Sequence, residues 1–432
     1  MNAMVAMERD ALTGLPGRAA SLERLDLWLR EGGPPLNAML LSLGRFQTVN
    51  LAYGEAAGDG ALAEIARRLL HFGEDEFELS DWLAARLGGG KFLLALREEC
   101  SRERWQWLAE ALADAVALPI AAVELDASLR LWPRIALIRA EQGENTAALL
   151  DRLAESLGEM KGQPGRRIDW IDRCHSPDGI SGAQLEADLM GAMARDEIEV
   201  RFQPQYSLPE DCLLGAEALA RWKHPVLGLV GAGPLFAIAR RADQTSALSR
   251  HVAERALKMA SSWPADLRLS LNITPSDLAS PNFAEDFLTL LADSGFDPAR
   301  VTLEITEQVL LADLDMAALV LEDIKSAGIG LSLDDFGAGF CNFRYLKLLP
   351  LSALKLDRSM VEGIADDARD LAVLRGIIAM ARAIGLSVVA EGIDSEDKLQ
   401  IVKDEGCAVY QGFLRAKPMR ADAFIRMAEG RS

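Results

Sequence analysis

The stretch from residue 301 to residue 336, VTLEITEQVLLADLDMAALVLEDIKSAGIGLSLDDF, decides the fold. It opens and closes on short apolar runs, VTLEITE (301–307) and GIGLSLDDF (328–336), that read as strands. Between them MAALVLEDIKSAG (316–328) spaces its apolar residues as an amphipathic helix does. Strand, helix, strand is the repeat of an α/β fold, and the rhythm continues in both directions. Upstream stand EVRFQPQYSL (199–208), GAEALARW (215–222) and RLSLNIT (268–274); downstream stand SALKLD (352–357), GLSVVAEG (385–392) and AVYQGFL (408–414). Helical stretches such as AEDFLTLLADSGF (284–296) and RDLAVLRGIIAMARAIG (369–385) separate most of them. Eight strands alternating with helices over about 250 residues predict a (β/α)8 barrel of the TIM type.

A buried barrel strand should be apolar, yet nearly every one of these carries a polar residue towards its C-terminal end. They are Gln203, Glu217, Asn272, Glu304, the pair Asp334 and Asp335, Lys355, Glu391 and Gln411. Barrel enzymes gather their reacting groups at that end, so residues distant in sequence are predicted to meet at one mouth. Five carboxylates held together repel one another unless a cation compensates them. An all-oxygen set with one amide and no Cys or His suits Mg2+ or Mn2+ rather than zinc. Adjacent Asp334 and Asp335 point to opposite sides of a regular strand, but at a strand end the second can turn inward and one carboxylate can bridge two ions. Two metals about 4 Å apart are the usual apparatus for displacement at phosphorus, and Lys355 adds a group to orient water or neutralise phosphate.

Composition narrows the classes. The 432 residues carry 46 basic and 65 acidic side chains, giving −19, with half of the residues hydrophobic. That balance supports a large core and excludes a surface that binds nucleic acid by neutralising phosphates. Five scattered cysteines (Cys100, Cys174, Cys212, Cys341, Cys407) and four dispersed histidines (His71, His175, His224, His251) point away from disulfides and histidine-built metal sites. With no apolar run near the ~18 residues of a membrane span and no signal peptide, a cytoplasmic, reduced protein is expected. The clearest seam, GQPGRRIDWIDRCHSPDGISG (162–182), divides the chain into a first domain at 1–165, a linker at 166–182 and the barrel at 183–432.

The second half resembles the EAL domain, a phosphodiesterase that hydrolyses cyclic di-GMP to linear pGpG. The namesake triplet is Glu217-Ala218-Leu219, followed by Arg221-Trp222 and His224-Pro225. The motifs LNIT, LEITE, DDFGAGF, LKLD, AEG and QGF follow in the family's order. The resemblance implies a first metal held by Glu217, Asn272, Glu304 and Asp334, and a second held by Asp334 and Asp335. It also implies a water contacted by Lys355, a base or outer-shell metal partner in Glu391, and a site completed by Gln411. Gln203, Leu219 and Arg221 match positions that contact the dinucleotide, and Glu307 matches a glutamate that steadies the loop FGAGFCNF (336–343). A homodimer through the barrel is the family-based expectation. Departures at Ala338, Arg240, Cys341, Asn342 and Asp394 remove no metal ligand.

The first half resembles the GGDEF domain, an α/β, nucleotidyl cyclase-like fold whose intact members make cyclic di-GMP from two GTP. DALTGLPGR (10–18) and FQTVNLAYGEAAGD (46–59) carry the likeness. The signature, however, reads Gly88-Gly89-Gly90-Lys91-Phe92, and Ser42 and Gly44 stand where the family has two aspartates. The acids that hold ions on a triphosphate are gone, so synthesis should be lost. Asn50 and Asp59 match guanine-recognising positions, and Lys91 is a charge reversal able to meet a phosphate directly. The expectation is an inactive domain that binds GTP and modulates the barrel, or a plain scaffold. For the whole chain the second reading is a receptor that binds cyclic di-GMP without cleaving it.

Overall fold

The computed structural model describes residues 9–31, 33–44, 46–77, 80–122, 127–140, 144–160, 167–171, 182–306, 314–337 and 343–430. The chain divides into two compact units, Met1–Leu185 with Lys223–Pro234, and Glu186–Trp222 with Leu235–Ser432.

The first unit is built on a five-stranded sheet ordered Asp81–Gly88, Lys91–Arg97, Leu36–Gly44, Trp132–Arg139 and Ile168–Trp170. Its first four strands pair antiparallel and the last joins parallel. Alternation explains one face of the core: Leu40 lies opposite Leu93 and Ala136. Leu25 and Trp28 of helix Arg18–Glu31 and Leu149, Leu153 and Leu157 of helix Thr146–Met160 close over it. Helix Arg102–Ala117 starts at Ser101, whose hydroxyl accepts from the Arg104 amide, and buries Trp105, Leu108 and Leu112 at helical spacing. The strand Ile168–Trp170 falls inside the predicted linker. Gly, Pro and charge marked that stretch as a connector, but buried Trp170 donates from its indole to Gln106 Oε1 at 2.7 Å and ties the tripeptide to the sheet.

The second unit holds the predicted eight-stranded closed barrel. Seven strands run parallel: Cys212–His224, Arg268–Ile273, Val301–Thr306, Gly330–Phe336, Ala353–Leu356, Ser387–Ala390 and Val409–Gln411. The eighth, Ile198–Ser207, closes the barrel antiparallel to both of its neighbours. A (β/α)8 pattern carries eight parallel strands, so this reversal is a departure. Its cause is local, since residues 208–211 form a turn too short for the crossover that parallel strands require. Leu303, Ile305, Leu331, Leu333, Leu354, Leu356 and Ala390 are fully or nearly fully buried, as strands covered on both faces demand.

Candidate active site

The strand Cys212–His224 brings Glu217, Leu219 and Arg221 to one face by its two-residue alternation. Gln203 stands opposite Glu217 across the reversed strand, and Asn272 pairs in register with Glu304. The Asn272 amide donates to Glu217 Oε1 at 2.7 Å, and the Gln411 amide donates to Glu217 Oε2 at 2.8 Å. Arg221 is buried and donates to the Ala220 carbonyl at 2.9 Å. The residues predicted from strand ends therefore converge on Glu217.

Lys355 is the electrostatic centre. Its buried ammonium lies 2.6 Å from Glu304 Oε2, 2.8 Å from Glu391 Oε1, 2.9 Å from Asp334 Oδ1 and 3.5 Å from Glu217 Oε2. Four carboxylates share one buried positive charge, three of them buried with it and Glu391 half-buried. Burial works against the ammonium, but Asp334, Glu217, Glu304 and Glu391 hold its pKa well above the usual lysine value. Burial raises the carboxyls, and Lys355 offsets this only in part. Glu304 is pushed up to about 8, with Glu217 and Asp334 adding repulsion. Asp334 is raised and Glu391 is raised well above its ordinary value. Glu217 goes the other way: burial raises it, but Lys355 and the bonds from Gln411 and Asn272 bring it below the usual value.

The strand Gly330–Phe336 slips register between Leu333 and Phe336, where the two aspartates sit. Asp335 takes φ +56, a left-handed conformation uncommon for any residue but glycine. That bulge re-aims the second carboxylate, as the strand-end reading requires. One oxygen each from Glu217, Glu304 and Asp334 lie within 4.8 Å of one another, and so do one each from Asp334, Asp335 and Glu391. Asp334 belongs to both groups. Its buried Oδ1 takes no hydrogen bond of good geometry although Lys355 stands 2.9 Å away, and Gln411 Oε1 is also unpartnered. Orphaned acceptors in an all-oxygen set fit hard divalent cations.

Beyond the strand sits Gly392 at φ +66, and a Cβ there would fall 2.3 Å from Arg358 Cγ. The Arg358 stem thus packs beneath the turn that aims Glu391, a contact the sequence did not reveal. Also missed were buried Gln205, Ser270 and Ser332 inside the barrel, with the Ser270 hydroxyl 3.3 Å from Gln205 Oε1. The signal was present, since Ser270 and Ser332 stand two residues before Asn272 and Asp334 and share their faces. Glu307, and the loop positions Ala338, Cys341 and Asn342, lie outside the described residues.

Residues 186–418 match the family model described as EAL domain, more than half of the chain. The chain belongs to the EAL family. Residues 7–167 match the model described as diguanylate cyclase, GGDEF domain, so the two stand in tandem. Mycobacterium tuberculosis Rv1354c, an uncharacterized protein, is 31% identical over 98% of this chain and 68% of its own length. The cyclic di-GMP phosphodiesterase NbdA of Pseudomonas aeruginosa is 29% identical over 95% of this chain and 52% of its own. Among solved structures, the PaMucR phosphodiesterase in complex with c-di-GMP is 32% identical over 56% of this chain and 99% of that one, with a TM-score of 0.53.

In the GGDEF-like unit, Asn50 lies on helix Phe46–Tyr53 against Gly58, one residue before exposed Asp59. The Asn50 Oδ1 is buried without a hydrogen-bond partner. Lys91 is exposed and opposite Ser42, and its neighbour Gly90 lies against Phe46 at the start of the Asn50 helix.

Proposed function

We propose that the EAL barrel hydrolyses cyclic di-GMP to linear pGpG at the Glu217–Lys355 cluster with two divalent cations, Mg2+ or Mn2+. The observation that carries this reading is the crowding of three buried carboxylates and half-buried Glu391 around one ammonium, an excess of acid that divalent cations would balance. Glu217, Asn272, Glu304 and Asp334 would hold the first ion and Asp334 with Asp335 the second. Bound there, the ions supply positive charge for the phosphodiester and lower the pKa of water. Lys355 orients the attacking water, Glu391 takes its proton, and Gln411 fixes Glu217 by the bond at 2.8 Å. Gln203, Leu219 and Arg221 hold the dinucleotide, the arginine by the planar fork that suits a phosphate.

The first domain, proposed as 1–165 and extended by the strand Ile168–Trp170, is an inactive cyclase that binds GTP through Asn50, Asp59 and Lys91 and regulates the barrel at 183–432. The chain acts in the cytoplasm as a homodimer through the barrel. No described helix is long and apolar enough to cross a membrane.

Incubation with cyclic di-GMP and Mg2+ or Mn2+, read by chromatography, tests the reading. pGpG should form, Glu217→Ala should abolish it, and GTP should change the rate. Binding without product in the wild-type chain would overturn hydrolysis and leave a receptor.

A further inference from the structure

The sheet of the first unit ends in a cluster that the barrel chemistry does not use. Ser42 lies opposite Lys91 on one neighbouring strand and opposite Arg134 on the other, and Gly44 lies opposite Trp132. Residues directly opposite in a sheet share a face, and Ser42 and Gly44 share it too, being two apart. One face at one sheet end thus presents two cations, a hydroxyl, a glycine and an indole. Lys91 is exposed, and Trp132 is 55% exposed. Among the described residues neither Lys91 nor Arg134 pairs with a carboxylate. Arg86, on the next strand, is by contrast held by Asp10 at 2.8 and 3.0 Å. The positions aligned across four strands, Gly88, Lys91, Ser42 and Arg134, include no acid.

Gly44 explains why the arginine has room. A Cβ there would sit 2.9 Å from the Trp132 carbonyl and 3.3 Å from Arg134 Nη1, so a side chain at 44 would clash with the backbone and crowd the guanidinium. In a chain of net charge −19, this locally positive spot selects an anion. Two cations flanking a hydroxyl suit a chain of phosphates, because fork and ammonium donate to different oxygens. The indole on the same face suits a base, which stacks on an aromatic ring whatever its identity.

We propose that Lys91, Arg134, Ser42 and Trp132 form a binding site for a nucleoside polyphosphate that needs no divalent cation. The proposal rests on the nucleotide reading of the first unit and adds the chemistry of the phosphate end: protein cations stand in for the metal. Mg2+ therefore competes for the phosphates instead of bridging them.

The test is calorimetric titration of the full-length chain with inorganic tripolyphosphate, ATP and GTP, each in excess EDTA and again with Mg2+. Tripolyphosphate should bind in EDTA and bind more weakly with Mg2+. Lys91→Ala at its exposed position, and Lys91→Ala with Arg134→Ala, should weaken it at least tenfold without changing the circular dichroism. Trp132→Leu should weaken ATP and GTP alike and leave tripolyphosphate unchanged. Binding of GTP that requires Mg2+, or tripolyphosphate affinity indifferent to both variants, overturns the cation-free site while leaving guanine recognition standing. Tripolyphosphate bound in EDTA, with GTP no tighter than ATP and Asn50→Ala without effect, supports this site and removes guanine recognition.

Discussion

Asp335 is the residue at which backbone and chemistry are most tightly joined. Its φ of +56 costs energy for most side chains, but Asn tolerates that region nearly as well as Asp. Asp335→Asn therefore isolates the charge from the conformation. It should leave the melting temperature in EDTA within about 2 °C, since a change of about 0.5 kcal/mol is typical away from core features. It should also cut activity at limiting Mn2+ by ~10–100-fold, the loss typical even of a metal's outer partners. Wild-type activity at low Mn2+ would show that Asp335 holds no ion. Lys355 gives the complementary case. Lys355→Met leaves buried Glu217, Glu304 and Asp334, and half-buried Glu391, without their ammonium. Breaking such a cluster costs roughly 3–5 kcal/mol, part of which protonation of the raised carboxyls returns. The variant should be inactive, melt lower than wild type in EDTA, and recover more stability than wild type does on adding Mn2+. Equal recovery would mean the ammonium and the cation do not share these carboxylates.

At the scale of elements, Gly392 turns the chain at the end of strand Ser387–Ala390 so that Glu391 reaches Lys355. Gly392→Ala meets two penalties: left-handed backbone at about 1–2 kcal/mol, and a Cβ driven into the Arg358 stem. The expected result is a fall in kcat with KM little changed. Adding Arg358→Gly should restore part of it, because it removes the Cβ, Cγ and Cδ that the new Cβ would meet at 2.7, 2.3 and 2.8 Å, and not the strain. A double variant no better than the single one would assign the whole effect to backbone conformation. The sequence made this element's end legible through its polar residue, but not through the contact. Glu391 stood out because a charge at the end of an apolar strand needs a reason. Arg358 did not, because an arginine after a strand looks like surface. The same limit hid the reversed strand: Gln203 reads identically whichever way its strand runs, and direction is set by the short turn at 208–211. It also hid Ile168–Trp170, where three residues are too few for a periodicity. Ser270 and Ser332 escaped because small polar residues fit a barrel interior as readily as a loop.

The whole molecule carries the consequence of storing acids in a core. The carboxyls of Glu304, Asp334 and Glu391 all ionise at higher pH than in an unfolded chain, Glu304 near 8 against an ordinary 4.5. Between those values the folded chain holds protons that the unfolded chain has released, so metal-free stability falls as pH rises from about 5 to 8. Glu217 has the opposite sign, but its pKa lies below 4.5, so the stability it contributes is fully present across this window. Lys355 is raised above 10.5, so its contribution is also constant there. A divalent cation reverses the slope, because it binds the ionised carboxylates and its affinity grows as their protons leave. Binding to the native state alone adds RT ln(1 + [L]/Kd), about 2.7 kcal/mol at a hundredfold excess over Kd. For a unit of some 250 residues each kcal/mol is worth roughly 2–4 °C. Melting temperature followed from pH 5.5 to 8.5 should therefore decline in EDTA, while the gap between Mn2+ and EDTA samples widens. The part of the net charge of −19 that is buried in the barrel is what ties stability to metal. A gap that stays constant with pH, or an EDTA curve that rises through pH 6–8, would mean that these carboxyls are not the protonated store their burial makes them.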